Sequence, residues 1–213
     1  FEEIRNANQF DYIATAHHRD DTIETFFINL IRGTGIKGLT GIPIKQKHII
    51  RPLMFFSRDK IAAYAQDNRL EYRDDSSNSQ TKYLRNKIRH QILPAITEIS
   101  PSFHQTMEET ISHLHEANML MEDSLLRIKN NIVEKQGEIT RISIQKLYTY
   151  PYKTLILYDI LKEHGYSPGI IQDIVKSLDA NPGKQFFSDN CRLVRDREHL
   201  IISQREIRNN NKY

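Results

Sequence analysis

His17, His18, Asp20, Asp21 and Glu24 place two imidazoles and three carboxylates within eight consecutive residues. They stand where the short apolar run DYIATA, residues 11–16, gives way to an amphipathic pattern. In open α/β sheets ligands bind outside the carboxyl ends of the strands. Carboxylates there can hold a magnesium ion or a cationic substrate, and imidazoles can donate to phosphate or ribose oxygens. A simpler reading makes Asp21 the N-cap of a helix and Glu24 its capping-box partner three residues on. Acids near a helix N-terminus also complement its dipole. Capping leaves His17, His18 and Asp20 without a purpose, because adjacent acids repel unless a cation lies between them. A metal centre of the His-x-x-Asp kind is a further reading. It would recruit His104, His113 or His115, of which the last two are two residues apart and point to different helix faces.

A second constellation is the segment KYLRNKIRH, residues 82–90. Read as a helix, it puts Leu84, Ile88 and Ile92 on one face and Lys82, Arg85 and Arg89 on another. A solvated charged face is the ordinary outcome of such a pattern. Arginine at two of the three positions favours phosphate binding, because a guanidinium grips oxyanions bidentately where lysine is a point charge.

The elements that must position these groups can be read from punctuation and period. Residues 11–16 predict a buried strand. A helix follows from Asp21 to Arg32, with Gly33 as its C-cap. The glycine-rich stretch 33–41 predicts a loop, and residues 48–55 a second strand with Pro52 near its end. Ser57 predicts the N-cap of a helix reaching Asp67, and DDSSNS at 74–79 a turn. This alternation argues for part of a parallel α/β sheet over 1–95. After Pro94 the character changes. Ser100 and Pro101 predict the start of one long helix to about 134. Its stripe is Phe103, Met107, Ile111, Leu114, Met121, Leu125, Ile128 and Ile132, broken at Asn118. Pro151 opens a helix that Gly165 closes, and Ser167-Pro168 opens another that ends at the turn Asn181-Pro182-Gly183. The expected helical domain is therefore 96–183. Residues 184–213 read as short strands and a polar tail leading toward a C-terminal domain.

Composition bounds the function classes. The chain has 213 residues, 38 % hydrophobic and 27 % charged, enough apolar material for a core. No apolar run approaches the ~20 residues a membrane helix needs. The lone cysteine, Cys191, cannot form an intrachain disulfide or a cysteine zinc site, which points to a reducing compartment and the cytoplasm. A net charge of +3 permits nucleic-acid binding without requiring it. The chain starts at Phe1 in what reads as mid-domain sequence, so the expectation is a piece of a longer protein.

The string AHHRDDTIETFFINLIRGTGIKGLTGI resembles the histidine–aspartate motif of the tRNA(Ile)-lysidine synthase family, within its ATP pyrophosphatase domain. DDSSNSQTKYLRNKIR is similar to that family's Asp-x-Ser-Asn stretch and Tyr-x-Arg-Asn-x-Ile-Arg signature, and NPGKQFF with CRLVRDREHLII looks like a later segment. The resemblance implies a Rossmann-like parallel-sheet ATP pyrophosphatase part, then a helical substrate-binding domain with a small terminal β element. The family's Ser-Gly-Gly-x-Asp-Ser phosphate loop would precede Phe1, so the stretch by itself is expected to be inactive. Asp20, Asp21, Arg85 and Arg89 are implied as catalytic, with Asp20 and Asp21 holding Mg²⁺. His17, His18 and Asn86 are implied to contact ATP, and Glu24 and Lys82 to contact substrate. The implied partners are a tRNA(Ile) with an unmodified wobble cytidine and free L-lysine, with no membrane; a homodimer stands among the partner expectations. Tyr72, Tyr83, Tyr148, Tyr150 and Tyr152 are the aromatic groups that could stack on the cytosine. Two rivals remain open: another ATP-pyrophosphatase tRNA-modifying enzyme, against whose cysteine-pair members the single Cys191 speaks, and a non-catalytic RNA-binding module.

Overall fold

The strands of the first half are far shorter than their apolar runs suggest. In the computed structural model, which describes residues 1–71 and 80–205, helix α1 (Glu2–Ala7) precedes β1, only Ile13–Ala14. Helix α2 (Arg19–Arg32), the short α3 (Ile36–Leu39), β2 (Lys45–Gln46) and β3 (Ile49–Ile50) follow. The sheet order is β1-β3-β2, with β1 parallel and β2 antiparallel to β3. A parallel pair needs a crossover, and α2 lies in it. The expected strand over 48–55 stops at Ile50 because Pro52 has no N–H to give a ladder; residues Pro52–Phe55 form a 3₁₀ turn instead. The glycine-rich loop holds α3, which sequence alone did not suggest. Gly41 has φ +75°, and a Cβ there would come within 2.3 Å of Thr22 Cγ2 on α2. Only glycine lets that backbone press so close.

Helix α4 (Arg58–Asp67) starts as expected, with Ser57 Oγ accepting from Lys60 N. The basic segment continues as one helical run: α5 (Gln80–Lys87), a π-helical turn at Ile88–Ile92, and α6 (Leu93–Ile99). Pro94 lies in the first turn of α6, where a missing N–H costs little. Ser100 ends α6, its N–H donating to Ile96 O, so the long helix α7 spans Phe103–Ile132 and not 101–134. The molecule divides inside that helix, into units Phe1–Met119 and Leu120–Tyr213. The core of the first unit is Ile23, Ile28, Ile88, Leu93, Met107 and Ile111, with Leu84 and Ile92 packed against it. The predicted Leu84–Ile88–Ile92 face therefore does point inward.

The second unit holds a hairpin that sequence reading missed. β4 (Val133–Gln136) follows α7 directly and turns at Gly137 into β5 (Ile139–Ser143). β4 reads VEKQ and is mostly exposed, so it carries no apolar alternation to detect. Helices α8 (Ile144–Tyr148), α9 (Lys153–Lys162) and α10 (Pro168–Ser177) follow. Then come β6 (Gln185–Phe187), β7 (Cys191–Arg195) and β8 (His199–Gln204). All five strands join one antiparallel sheet in the order β4-β5-β8-β7-β6. Its inner face, with Ile142, Leu193, Leu200, Ile202 and Phe186, packs with Leu157, Ile160, Leu161, Ile171 and Ile174 of α9 and α10.

Candidate active site at the mouth of the parallel pair

After β1 the chain turns through Thr15–His18 into α2. The helix starts one turn earlier than the capping pattern predicts. His18 is the N-cap, and Asp21 is the partner whose Oδ2 accepts the His18 N–H at 2.9 Å. The expected box of Asp21 and Glu24 is thereby corrected, and Glu24 is released from any capping duty. It points inward instead, 1 % exposed.

A buried carboxylate must be paired or it destabilises the fold. Arg89, 65 residues away, forks onto Glu24 through Nε and Nη2, the second bond being 2.9 Å. The same Nη2 lies 3.3 Å from Asp21 Oδ1. Arg85 Nη2 donates to Thr25 Oγ1 at 3.3 Å, and its Nε lies 3.5 Å from Glu24 Oε2. Bonding to Glu24 holds the Arg89 guanidinium above its ordinary pKa against the opposing effect of burial. Arg89 sits in the π-helical turn, whose extra residue re-aims side chains relative to a plain α-helix. Arg85 and Arg89 of the predicted cationic face are therefore turned toward the acids of α2 and do not form an open solvated stripe.

Asp20 takes a different direction. Its Oδ2 accepts the Arg58 N–H at 2.7 Å, at the N-terminus of α4, and its Oδ1 lies 3.7 Å from His104 Nδ1. The His18 ring lies between the two aspartates, 3.8 Å from Asp20 and 3.5 Å from Asp21. Asp20, Glu24, Arg89, Arg58 and His104 all line a cavity of about 390 Å³. A larger cavity of about 670 Å³ opens on a neighbouring face of α2, but most of its wall surface is apolar, and Arg19–Glu108 is the ion pair there. The paired acids and arginines give the smaller cavity the chemistry.

Not every candidate joins it. His17 bonds Thr15 Oγ1 through Nδ1 at 2.9 Å and does not line the cavity. Burial pushes its pKa down, with Asp21 opposing. Asn86 is exposed and also lies off the lining. The Lys82 side chain, Tyr72 and the DDSSNS stretch lie outside the described residues, as do 206–213 of the polar tail. Tyr83 and Tyr152 are exposed, whereas the Tyr150 hydroxyl accepts from Asn131 Nδ2. His104, named only as a recruit to a metal centre, meets Asp20 as an ion-pair partner; the backbone of Arg58 was missed, because it comes from an element distant in sequence and carries no motif. His113 and His115 do not join His104, and among the described residues no three metal-ligating side chains are arranged to hold one metal ion.

A family model described as a PP-loop domain matches residues 1–96, and one described as the TilS substrate binding domain matches residues 134–205. A protein of Parabacteroides distasonis named tRNA(Ile)-lysidine synthase is 39 % identical over 206 residues, covering 97 % of this chain and 46 % of its own length. Proteins of the same name from Porphyromonas gingivalis W83 and Bacteroides thetaiotaomicron are 37 % and 38 % identical. Each match covers 95 % of this chain, with 44 % and 46 % of the respective relative. The chain thus spans a little under half the length of these relatives.

Proposed function

This chain belongs to the tRNA(Ile)-lysidine synthase family, and we propose that the whole protein is an ATP-dependent carbon–nitrogen ligase that converts a wobble cytidine of tRNA(Ile) to lysidine. The C2 carbonyl oxygen of the cytosine attacks the α-phosphorus of ATP, and pyrophosphate leaves. The neutral ε-amine of free L-lysine then attacks C2, the C–O bond to AMP breaks, and the nitrogen sheds its proton to solvent. The observation that carries the reading is the meeting of Asp21 and Glu24 on α2 with Arg85 and Arg89 from the later helical run, with Asp20 lining the same cavity as Glu24 and Arg89.

Each group has a physical task. Arg85 and Arg89 supply positive charge near a developing pyrophosphate. Glu24 acts through them, since its carboxylate is held by both guanidinium groups and fixes where they sit. His18 and His17 stand at the strand mouth as donors to nucleotide oxygens; Asn86 and Lys82 are assigned to nucleotide and substrate on the family resemblance alone. Asp20, lining the cavity, is the acid best placed to face a cation, whether the lysine ammonium or Mg²⁺. Carboxylate oxygens suit Mg²⁺, which would neutralise phosphate charge when bound with nucleotide; Asp20, with Asp21 beside it, would be the residue to hold it. The cytoplasm is the proposed location, and no helix among the described residues is long and apolar enough to cross a membrane.

The test is pyrophosphate release by the whole protein with tRNA and ATP. Asp20→Asn keeps an oxygen for the Arg58 N–H while removing the charge, and Asp21→Asn does the same for His18. Each should slow release by at least about tenfold, ~1.4 kcal/mol of barrier, with a near-unchanged melting temperature. Full activity in both variants would leave helix capping as the whole role of these acids.

A further inference from the structure

The lone thiol of the chain stands among polar groups that the ligase reading leaves idle. Cys191 opens β7 and is half-buried. Its Sγ lies 4.0 Å from Nδ1 of His164, in the turn between α9 and α10. Ser188, just before β7, ties the two segments together. Its Oγ donates to His164 O at 2.7 Å and accepts the Cys191 N–H at 3.0 Å, and its own N–H donates to Cys191 O at 2.9 Å. The sulfur and the imidazole are therefore brought side by side by bonds to their own backbones. Burial pushes the His164 pKa down, against Glu163 and with Lys135 and Lys129. A neutral imidazole with its proton on Nε2 offers Nδ1 as acceptor for the thiol proton. A second observation at the same place points to an oxygen ligand. Tyr166 is 4 % exposed, and its hydroxyl has no hydrogen-bond partner. Burial raises its pKa above the ordinary tyrosine value, and the nearby Cys191 adds to the rise. A buried hydroxyl left unpaired is costly, and an oxygen carried on the neighbouring sulfur would give it an acceptor.

We propose that Cys191 is a site of oxidation by hydrogen peroxide, with His164 as the base and Tyr166 as the donor that holds the added oxygen. The thiol proton passes to His164 Nδ1 as the sulfur attacks one peroxide oxygen. The S–O bond forms and the O–O bond breaks. The departing hydroxide takes that proton from His164 and leaves as water. Sulfur is oxidised by two electrons to a sulfenic acid, and the peroxide is reduced by two. The Tyr166 O–H then donates to the sulfenic oxygen. With one cysteine in the chain, no second thiol of the same chain can capture the product as a disulfide, so it persists until an outside thiol reduces it. This site goes beyond the ligase reading and uses none of its groups.

The single cysteine makes the test direct. The 213-residue chain and a peptide of residues 187–196 are exposed to the same hydrogen peroxide, and sulfenic acid trapped at Cys191 with dimedone is counted by mass spectrometry. The folded chain should react at least about tenfold faster than the peptide, since a placed base supplies that much or more. A smaller gain overturns the proposal. His164→Gln and His164→Asn should each bring the rate down to near that of the peptide while circular dichroism keeps the wild-type spectrum. Two replacements guard against one that fails to fold, and the comparison of chain with peptide stands without either. Tyr166→Phe should leave the first oxidation nearly unchanged. It should shorten the lifetime of the sulfenic acid by about threefold or more, as further oxidation to sulfinic acid takes over. His113→Gln, at an exposed histidine of α7, should alter neither reading. The proposal is also overturned if a folded His164 variant oxidises as fast as the wild type, or if the Tyr166→Phe sulfenic acid lasts as long.

Discussion

Among the described residues, six hydrophobic side chains form the buried core cluster of the first unit, against seventeen residues in the second. The contrast in buried charged groups runs the other way. The first unit buries Asp21, Glu24 and Arg51. The second buries hydroxyls and a guanidinium that donate to backbone carbonyls: Ser177 to Ile174, Ser188 to His164 and Arg195 to Leu178, each at 2.7 Å. Hydroxyls bonded to backbone carbonyls lock a fold without placing net charge. Buried carboxylates facing arginines contribute little net stability, yet losing one partner is costly. The second unit is thus built to hold shape, and the first to hold a charged constellation in place.

The sharpest way to break this contrast is to open the larger core. Leu157 is fully buried on α9, and Leu157→Ala should cost about 3 kcal/mol in denaturant unfolding. A loss below about 1 kcal/mol would mean that the core collapses into the cavity and is less rigid than its packing implies. Removing one charge from the first unit should cost somewhat less. Arg89→Ala removes the two-bond partner of the Glu24 carboxylate and leaves it only Arg85 Nε at 3.5 Å. With the Arg89 side chain 24 % accessible, the expected loss is about 2 kcal/mol, under the range for fully buried pairs. Adding Glu24→Leu should recover part of it, read as hydrogen-exchange protection of α2. No recovery would show that Arg89 stabilises by packing and not by pairing.

The smallest effect separates the units by pH. Burial pushes the imidazoles of His17 in the first unit and His164 in the second below the ordinary histidine value, opposed by Asp21 and Glu163 respectively. Each folded state resists protonation that the unfolded chain accepts. The stability each contributes is therefore complete above the unfolded-state pKa, about 6.5, and is lost as pH falls below it toward the folded value. His17→Gln should flatten that loss for amides of the first unit only, and His164→Gln for those of the second only. A flattening shared by both units would show that they unfold as one.

The parts legible in the sequence were those with local causes. Ser57 capped α4 because a hydroxyl can take the orphan N–H of its own first turn. The inward face of Leu84, Ile88 and Ile92 followed from helical spacing. The acids at 20, 21 and 24 and the arginines at 85 and 89 were visible as types. Less visible were the β4–β5 hairpin, whose first strand is polar and exposed, and the early end of β3, where Pro52 outweighed an apolar run. The capping pattern was misplaced by one turn because both Asp21 and Glu24 satisfy its spacing, and only the tertiary demand for a buried carboxylate chose between them.

Residue order alone determined which groups could do chemistry, where helices began at hydroxyl caps, and which apolar stripe belonged inside, because propensity, capping and amphipathic period act within a few residues. The tertiary structure decided that Arg89 meets Glu24, that His104 and Arg58 meet Asp20, and that His164 meets Cys191. Those pairings join residues tens of positions apart, and only burial and strand register bring such groups within bonding distance.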